Sequence, residues 1–186
     1  TAIVALIKYE TLYPTDVQIP SVMYERGFLM FEHLRDLQGA EAVLDSIVEE
    51  FHKSKSAPFA LHTIGEIKRK QDSFAVAISS LEQIPSDYPQ SPKVIDALYL
   101  ISDIYRDDLR MYQTADSIYD VMLEDHGDNI QILAGLKNSA ELNRGRLNNF
   151  PKAADRYAEI ARRFPESPEA PDMLFEAVEV AEDDLA

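Results

Sequence analysis

The chain of 186 residues has no cysteine and no tryptophan. Without cysteine there are no disulfides and no thiolate metal sites, and the redox compartment stays open. Its six glycines are scattered, and none builds a G-x-G-x-x-G or P-loop cradle for phosphate. No run of 18 apolar residues occurs, so no segment reads as membrane-spanning, and no secretory leader is visible. Basic residues are few: 18 lysines and arginines stand against 33 acids, a formal net charge of −15. That balance argues against nucleic acid, whose phosphates need clustered Lys and Arg, and against docking on an anionic membrane surface. Catalytic patterns are missing too. His33, His52, His62 and His126 form no H-E-x-x-H or paired-ligand spacing. Asp125, Asp128 and Asn129 begin like a calcium loop but lack the closing glutamate. No serine lies in a nucleophile elbow. The expectation is a non-enzyme without cofactor or metal.

What is present is a repeat. An aromatic-plus-turn pair recurs as Tyr13-Pro14, Phe51-His52, Tyr88-Pro89, His126-Gly127 and Phe164-Pro165, at spacings of 38, 37, 38 and 38 residues. Thirteen positions after each pair's second member stand Gly27, Gly65, Ser102, Ala140 and Val178, small in four of five. Nine positions after it stand Met23, Leu61, Leu98, Leu136 and Leu174. Twelve before it, alanine recurs as Ala2, Ala40, Ala77, Ala115 and Ala153. Eight before it come Leu6, Leu44, Leu81, Tyr119 and Tyr157, and five before it Tyr9, Ile47, Ile84, Met122 and Ile160. Apolar residues at i, i+4 and i+7, as in Ala153, Tyr157 and Ile160, line one face of a helix. Each repeat therefore reads as two helices, A carrying the small column and B the alanine column, crossing where side chains are small.

The predicted B helices lie near 1–12, 39–51, 72–84, 111–125 and 150–163. The A helices lie near 20–35, 57–70, 92–106, 129–144 and 168–184. Ser91-Pro92 and Ser167-Pro168 place a capping serine before a proline, and Asp128 and Asn149 are candidate caps. No segment alternates with period two, so no sheet is expected.

These columns resemble the tetratricopeptide repeat over essentially the whole chain. Gly27, Gly65, Ser102 and Ala140 match its small helix-A position; Ala40, Ala77, Ala115 and Ala153 match its alanine; Pro14, Pro89 and Pro165 match its proline. His52 and Gly127 depart from that proline, the family's tryptophan is missing, and the pitch exceeds the usual 34 by about one helical turn. The resemblance implies an all-α fold, a right-handed α-α superhelix (TPR solenoid) of about ten antiparallel helices. With Tyr88-Pro89-Gln90-Ser91-Pro92 and Phe164-Pro165-Glu166-Ser167-Pro168, the long pitch is similar to the variety found in bacterial cell-envelope proteins, of the outer-membrane assembly lipoprotein and Tol-Pal-associated types. A periplasmic or envelope location follows as an expectation.

The expected organisation is one array. Residues 1–14 form helix B of a truncated repeat, and repeats follow at 15–52, 53–89, 90–127 and 128–165. Residues 166–186 form helix A of a further repeat or a capping helix. Residues 1–165 hold 25 acids and 18 bases, whereas 166–186 hold eight acids and no base. Glu169, Asp172, Glu176, Glu179 and Asp183 make an acidic stripe on that last helix; Leu174, Val178, Ala181 and Leu185 make its apolar face.

The resemblance implies that A helices line a concave face on which peptides lie. Ten after each pair's second member come Tyr24, His62, Tyr99, Lys137 and Phe175; fourteen after, Phe28, Glu66, Asp103, Glu141 and Glu179; seventeen after, Phe31, Arg69, Arg106, Arg144 and Glu182. The candidate binding face is Tyr24, Phe28, Phe31, His62, Arg69, Tyr99, Arg106, Lys137, Arg144 and Phe175. The arginines, each three residues after an acid, suit a ladder of ion pairs better than a binding role, and Phe28 and Phe31 suit packing against a preceding repeat better than a ligand site. A carboxylate clamp of the co-chaperone kind is disfavoured by Glu141 one turn after Lys137. The expected function is a non-enzymatic protein–protein interaction scaffold that binds a peptide or partner segment within a larger envelope assembly. The alternatives are a structural spacer or oligomerisation segment that self-associates through open repeat ends, and the regulatory arm of an enzyme whose catalytic domain lies elsewhere.

Overall fold

The structure, a computed structural model, describes residues 2–126 and 129–183, without the side chains of His126 and Asp183. Among the described residues there are ten α-helices and no strand. They are α1 (Ala2–Leu12), α2 (Ile19–Leu29), α3 (Leu37–Glu50), α4 (Ala57–Lys70), α5 (Phe74–Asp87), α6 (Lys93–Asp103), α7 (Tyr112–His126), α8 (Ile132–Leu142), α9 (Phe150–Arg163) and α10 (Ala170–Asp183). One-turn π segments, Met30–Leu34, Ile104–Asp108 and Asn143–Leu147, prolong α2, α6 and α8. The predicted map holds within a few residues. Helix α5 runs past the predicted end at 84, carrying Pro85 inside it. Proline removes one bond there, but the ladder resumes when the Tyr88 amide donates to the Ile84 carbonyl at 2.9 Å.

The B-to-A turns after Tyr13, Phe51, Tyr88 and Phe164 are one device repeated. The marker amide closes the B helix, as in Phe51 to Ile47 and Phe164 to Ile160, both 2.9 Å. The marker carbonyl then accepts from the residue three ahead: Asp16 to Tyr13 at 3.1 Å, Ser54 to Phe51 at 2.8 Å, Ser91 to Tyr88 at 2.8 Å and Ser167 to Phe164 at 2.9 Å. The residue after the marker thus sits second in a β-turn and needs no N–H. Proline suits that place without being required, which is why His52 fills it. At four places the side chain three residues after the marker accepts the backbone N–H two residues ahead, at the entry to the next helix, whereas Ser54 Oγ has no partner. Asp16 accepts from the Gln18 amide at 2.8 Å, Ser91 from Lys93 at 3.1 Å, Asn129 from Gln131 at 2.9 Å and Ser167 from Glu169 at 3.4 Å. The predicted serine caps are members of this column, while the predicted cap Asp128 lies outside the described residues. Asn149 caps α9 as expected, accepting from the Lys152 amide at 3.4 Å.

The A-to-B turns share a different feature. Arg35, Asp72, Arg110 and Asn148 have φ of 54°, 55°, 58° and 51°. The left-handed region costs an L-residue roughly 1–2 kcal/mol and is entered most readily by Gly, Asn and Asp. Two of the four turns use those types and two use arginine.

Contacts group the described residues up to Leu100 and those from Ile101 into two compact units, with the junction inside α6. In the first, α1 packs on α2, α2 on α3, α3 on α4 and α4 on α5. Its core holds Ala40, Leu44, Ile47, Ala60, Ile64 and Ile67. In the second, α7 packs on α8, α8 on α9 and α9 on α10. Its core includes Tyr119, Met122, Leu136, Ala140, Ala153, Tyr157, Ile160 and Val180. From the second marker pair on, the alanine column forms these cores: Ala40, Ala77, Ala115 and Ala153 are all fully buried, whereas Ala2 on α1 is exposed. The small column faces the leucine column of its own repeat. A Cβ added at Gly27 would stand 2.9 Å from Leu44 Cδ2, and one at Gly65 would stand 2.6 Å from Leu81 Cγ.

The faces of the last helix differ from expectation. Leu174 and Val178 are each 53% exposed, and Ala181 is exposed as well. Leu185 lies outside the described residues. Helix α10 instead buries Ala170, Met173, Ala177 and Val180, spaced i, i+3, i+7 and i+10, and packs on α9. At α1 no residue is buried, and Val4, Ile7 and Leu12 are exposed.

Candidate functional site

In the first unit the A helices bring aromatic side chains together. Tyr24 and Phe28, one turn apart on α2, stack with ring centroids 6.0 Å apart. Phe59 on α4 meets Tyr24 edge-on at 5.8 Å, and the Lys93 ammonium lies 5.7 Å from the Phe59 centroid. These rings are half-buried, and Tyr24's phenol is raised above its ordinary value mainly by that burial. Tyr24 and Phe28 were expected on this face. Phe59 was not, because its column otherwise holds Ser21, Asp96, Ala134 and Asp172 and shows no pattern. His62, one turn after Phe59, faces Glu66 with Nδ1 3.6 Å from the carboxylate. Arg69 and Tyr99 are half-buried.

Phe31 does not belong to that face. It is 5% exposed and packs in the core with Ala40, Leu44 and Ile64, with the Lys70 ammonium 5.4 Å from its ring centroid. The expectation that it packs against a preceding repeat is corrected as well: its neighbours come from α3 and the following helix, α4.

In the second unit the expected face consists of ion pairs. Arg106 bonds Asp103 at 2.8 Å, forks onto Asp107 at 2.8 and 2.9 Å, and donates to the Tyr119 hydroxyl at 2.9 Å. The Asp107 bonds raise its already high pKa against the opposing effect of burial. Lys137 reaches Glu169 at 3.0 Å, and Arg144 reaches Glu176 at 2.8 Å. The bond to Glu169 raises the Lys137 pKa. One bridge runs from α8 to the residue just before α10 and the other from the π segment after α8 to α10, so two acids of the terminal stripe are engaged rather than merely solvated. Phe175 is 63% exposed.

A buried polar cluster, missed in the sequence, ties α7, α8 and α9. Asp116 accepts from the Ser139 hydroxyl at 2.7 Å, from Asn143 Nδ2 at 2.8 Å and from the Lys152 ammonium at 2.7 Å. Lys152 also reaches Asp120 at 2.8 Å, and Arg156 binds the same carboxylate. Burial of Lys152 pulls its pKa down, but hydrogen bonds and charge from Asp116 and Asp120 outweigh it and leave the pKa raised. Asn143 is fully buried, and its Oδ1 has no partner. Two repeats earlier the positions of Asp116 and Asn143 hold Glu41 and Lys68, which form an ion pair.

Among the described residues no group of three His, Asp or Glu is placed to hold a metal, and no helix is long and apolar enough to cross a membrane.

Helix pairs at a 37–38-residue pitch, closed by the same turn at four described places, define an all-α helical solenoid of the tetratricopeptide type. Solved structures share it. A MamA RS-1 ArsTM double mutant superposes with a TM-score of 0.63 at 16% identity, covering 89% of this chain and 86% of its own. A tetratricopeptide repeat protein from Parabacteroides merdae gives a TM-score of 0.63 at 15% identity, covering 97% of this chain and 66% of its own. At such identities the likeness carries the fold. No protein-family model matches the chain, and no curated protein matches its sequence.

Proposed function

We propose that the protein is a non-enzymatic scaffold that binds a protein segment along its A helices, centred on Tyr24, Phe28 and Phe59. The observation that carries this is the half-exposed aromatic cluster spanning α2 and α4, with the Lys93 cation beside it. Aromatic rings offer large contact area for little lost rotamer entropy and are enriched among interface anchors. The net charge of −15 favours a protein partner over a nucleic acid. The long pitch and the Pro-x-Ser-Pro turns favour a bacterial envelope assembly. A photo-crosslinking side chain at position 28 should yield a discrete partner adduct, while one at Val76, exposed on α5, should not. With the adduct's partner in hand, Tyr24→Ala or Phe59→Ala should weaken binding about tenfold or more. Equal crosslinking from both positions, or unchanged affinity in both variants, would refute the reading.

A second reading, self-association through the terminal helices, is favoured by the exposed apolar side chains of α1 (Val4, Ile7, Leu12) and α10 (Leu174, Phe175, Val178). Light scattering should then show a mass that rises with concentration and returns to the monomer in Phe175→Asp. A monomer at every concentration removes this reading.

A further inference from the structure

We propose that the depression between the α6–α7 turn and the end of α8 binds an anionic group carried by a peptide, a carboxylate or phosphoryl group held between Arg110 and Arg146. This surface is separate from the aromatic cluster and does not depend on it. Arg106, Arg110 and Arg146 all line the depression, in a chain with 18 bases against 33 acids. Arg106 is fully occupied by Asp103, Asp107 and Tyr119. Arg110 and Arg146 have no anionic partner among the described residues, although elsewhere in this unit Lys137, Arg144, Lys152, Arg156 and Arg163 are all paired.

Both arginines lie at backbone irregularities, the left-handed one shared in the first unit by Arg35. Arg110 occupies the left-handed position of its turn, with φ 58°. Asp72 and Asn148 fill the matching turns with residue types suited to that region. An arginine held there against backbone preference is the kind of strain that collects at binding sites. Arg146 lies within the π turn Asn143–Leu147, and the facing wall includes the π turn Ile104–Asp108; such turns often mark functional positions. The Arg146 guanidinium stands 5.8 Å from the centroid of the Tyr112 ring. Stacking occupies the face of a guanidinium and leaves its in-plane N–H fork for an oxyanion.

Asn138 adds a neutral amide to the lining, and Glu141 stands exposed beside it. The lining carries three arginines against Asp107 and Glu141, and Asp103 also pairs with Arg106, so the N–H forks of Arg110 and Arg146 rather than a large net charge select the ligand, which suits a single anionic group. The depression, about 320 Å³, is open to solvent, which screens charge and leaves a free anion little to gain there. An anion attached to a peptide gains further contacts along the neighbouring helices. The first unit repeats the arrangement in part: Arg35, φ 54°, lines a depression with Lys70 from the next A helix.

The test uses the full chain with nitrogen-15 label, following arginine Nε–Hε resonances. The probes are capped pentapeptides with phosphoserine, glutamate or glutamine at the centre, and inorganic phosphate alone. Saturable shifts at Arg110 and Arg146 are expected with the phosphoserine and glutamate peptides and not with the glutamine peptide. Arg146→Gln and Arg110→Asn should each weaken that binding about tenfold or more, while Arg162→Gln, on an exposed side chain, should not. Asparagine suits the left-handed turn, so loss of binding in Arg110→Asn would not reflect misfolding. The proposal is overturned by equal binding of the glutamine peptide, by shifts that spread to Arg162 without saturating, or by phosphate alone binding as tightly as the phosphopeptide.

Discussion

Gly65→Val is expected to destabilise the protein by about 3 kcal/mol or more. The reason is the close approach of α4 and α5. A Cβ at position 65 would lie 2.6 Å from Leu81 Cγ, 2.7 Å from Cδ2 and 3.1 Å from Cδ1. The first of these is the branch atom of a fully buried side chain, not a mobile tip. Leu81 cannot swing away, so the helices must part. Alanine makes the sharper comparison, because Gly→Ala inside a helix otherwise gains up to about 1 kcal/mol. Three glycines should respond differently to that one change. Gly145→Ala meets nothing within 4 Å and should be neutral or stabilising; Gly27→Ala meets Leu44 Cδ2 at 2.9 Å and Cγ at 3.0 Å and should cost less than Gly65→Ala without being neutral; Gly65→Ala should destabilise most, despite its propensity gain. Leu81→Ala alone should cost about 2–5 kcal/mol, and combined with Gly65→Ala it should cost less than the sum, because each change relieves the other. Urea denaturation gives the ranking. A Gly65→Ala protein as stable as Gly145→Ala would show that the small column does not set the helix approach.

The same geometry explains which parts of the fold were legible in the sequence. The alanine and small columns could be read because every repeat meets the same steric demand with the same kind of residue. The turn position after the marker was legible where proline filled it and misleading at His52, because the turn requires only that no N–H be used there. The left-handed A-to-B turns left no trace: Arg35, Asp72, Arg110 and Asn148 share a backbone state and no chemistry. Phe59 was hidden for a similar reason, since a binding ring needed once is not repeated. Phe31 was misassigned because it shares a column with Arg69, Arg106 and Arg144, and the column alone does not say that the phenylalanine turns into the core. On α10, Leu174 and Val178 continued columns buried in earlier repeats, yet here they stay exposed because no described helix covers them.

Asp116→Ala is expected to cost about 3 kcal/mol. Asp116 is 6% exposed and accepts from three donors on two neighbouring helices. Its removal leaves the Ser139 hydroxyl and part of the Asn143 amide without their acceptor, in a site where Asn143 Oδ1 is already unsatisfied. Lys152 suffers less, since it keeps Asp120 and some solvent contact. The opposite truncation, Lys152→Met, leaves a buried carboxylate with two neutral donors and no cation. It should cost a similar amount, and the double variant should cost less than the two single losses together. Asp116→Asn keeps an acceptor oxygen and should fall between wild type and alanine. Such a network fixes the register of α7 against α8 and α9 more than it adds net stability, so an apolar replacement tests its purpose directly. If Asp116→Leu with Lys152→Met matches wild type in urea yet broadens the amide resonances of α7–α9, the cluster specifies one packing arrangement. If that variant is as stable and as sharply ordered as wild type, the cluster has no such role. Amide hydrogen exchange in Asp116→Ala should show lost protection in α7, α8 and α9, because a lesion in stacked helices is felt first by its immediate neighbours.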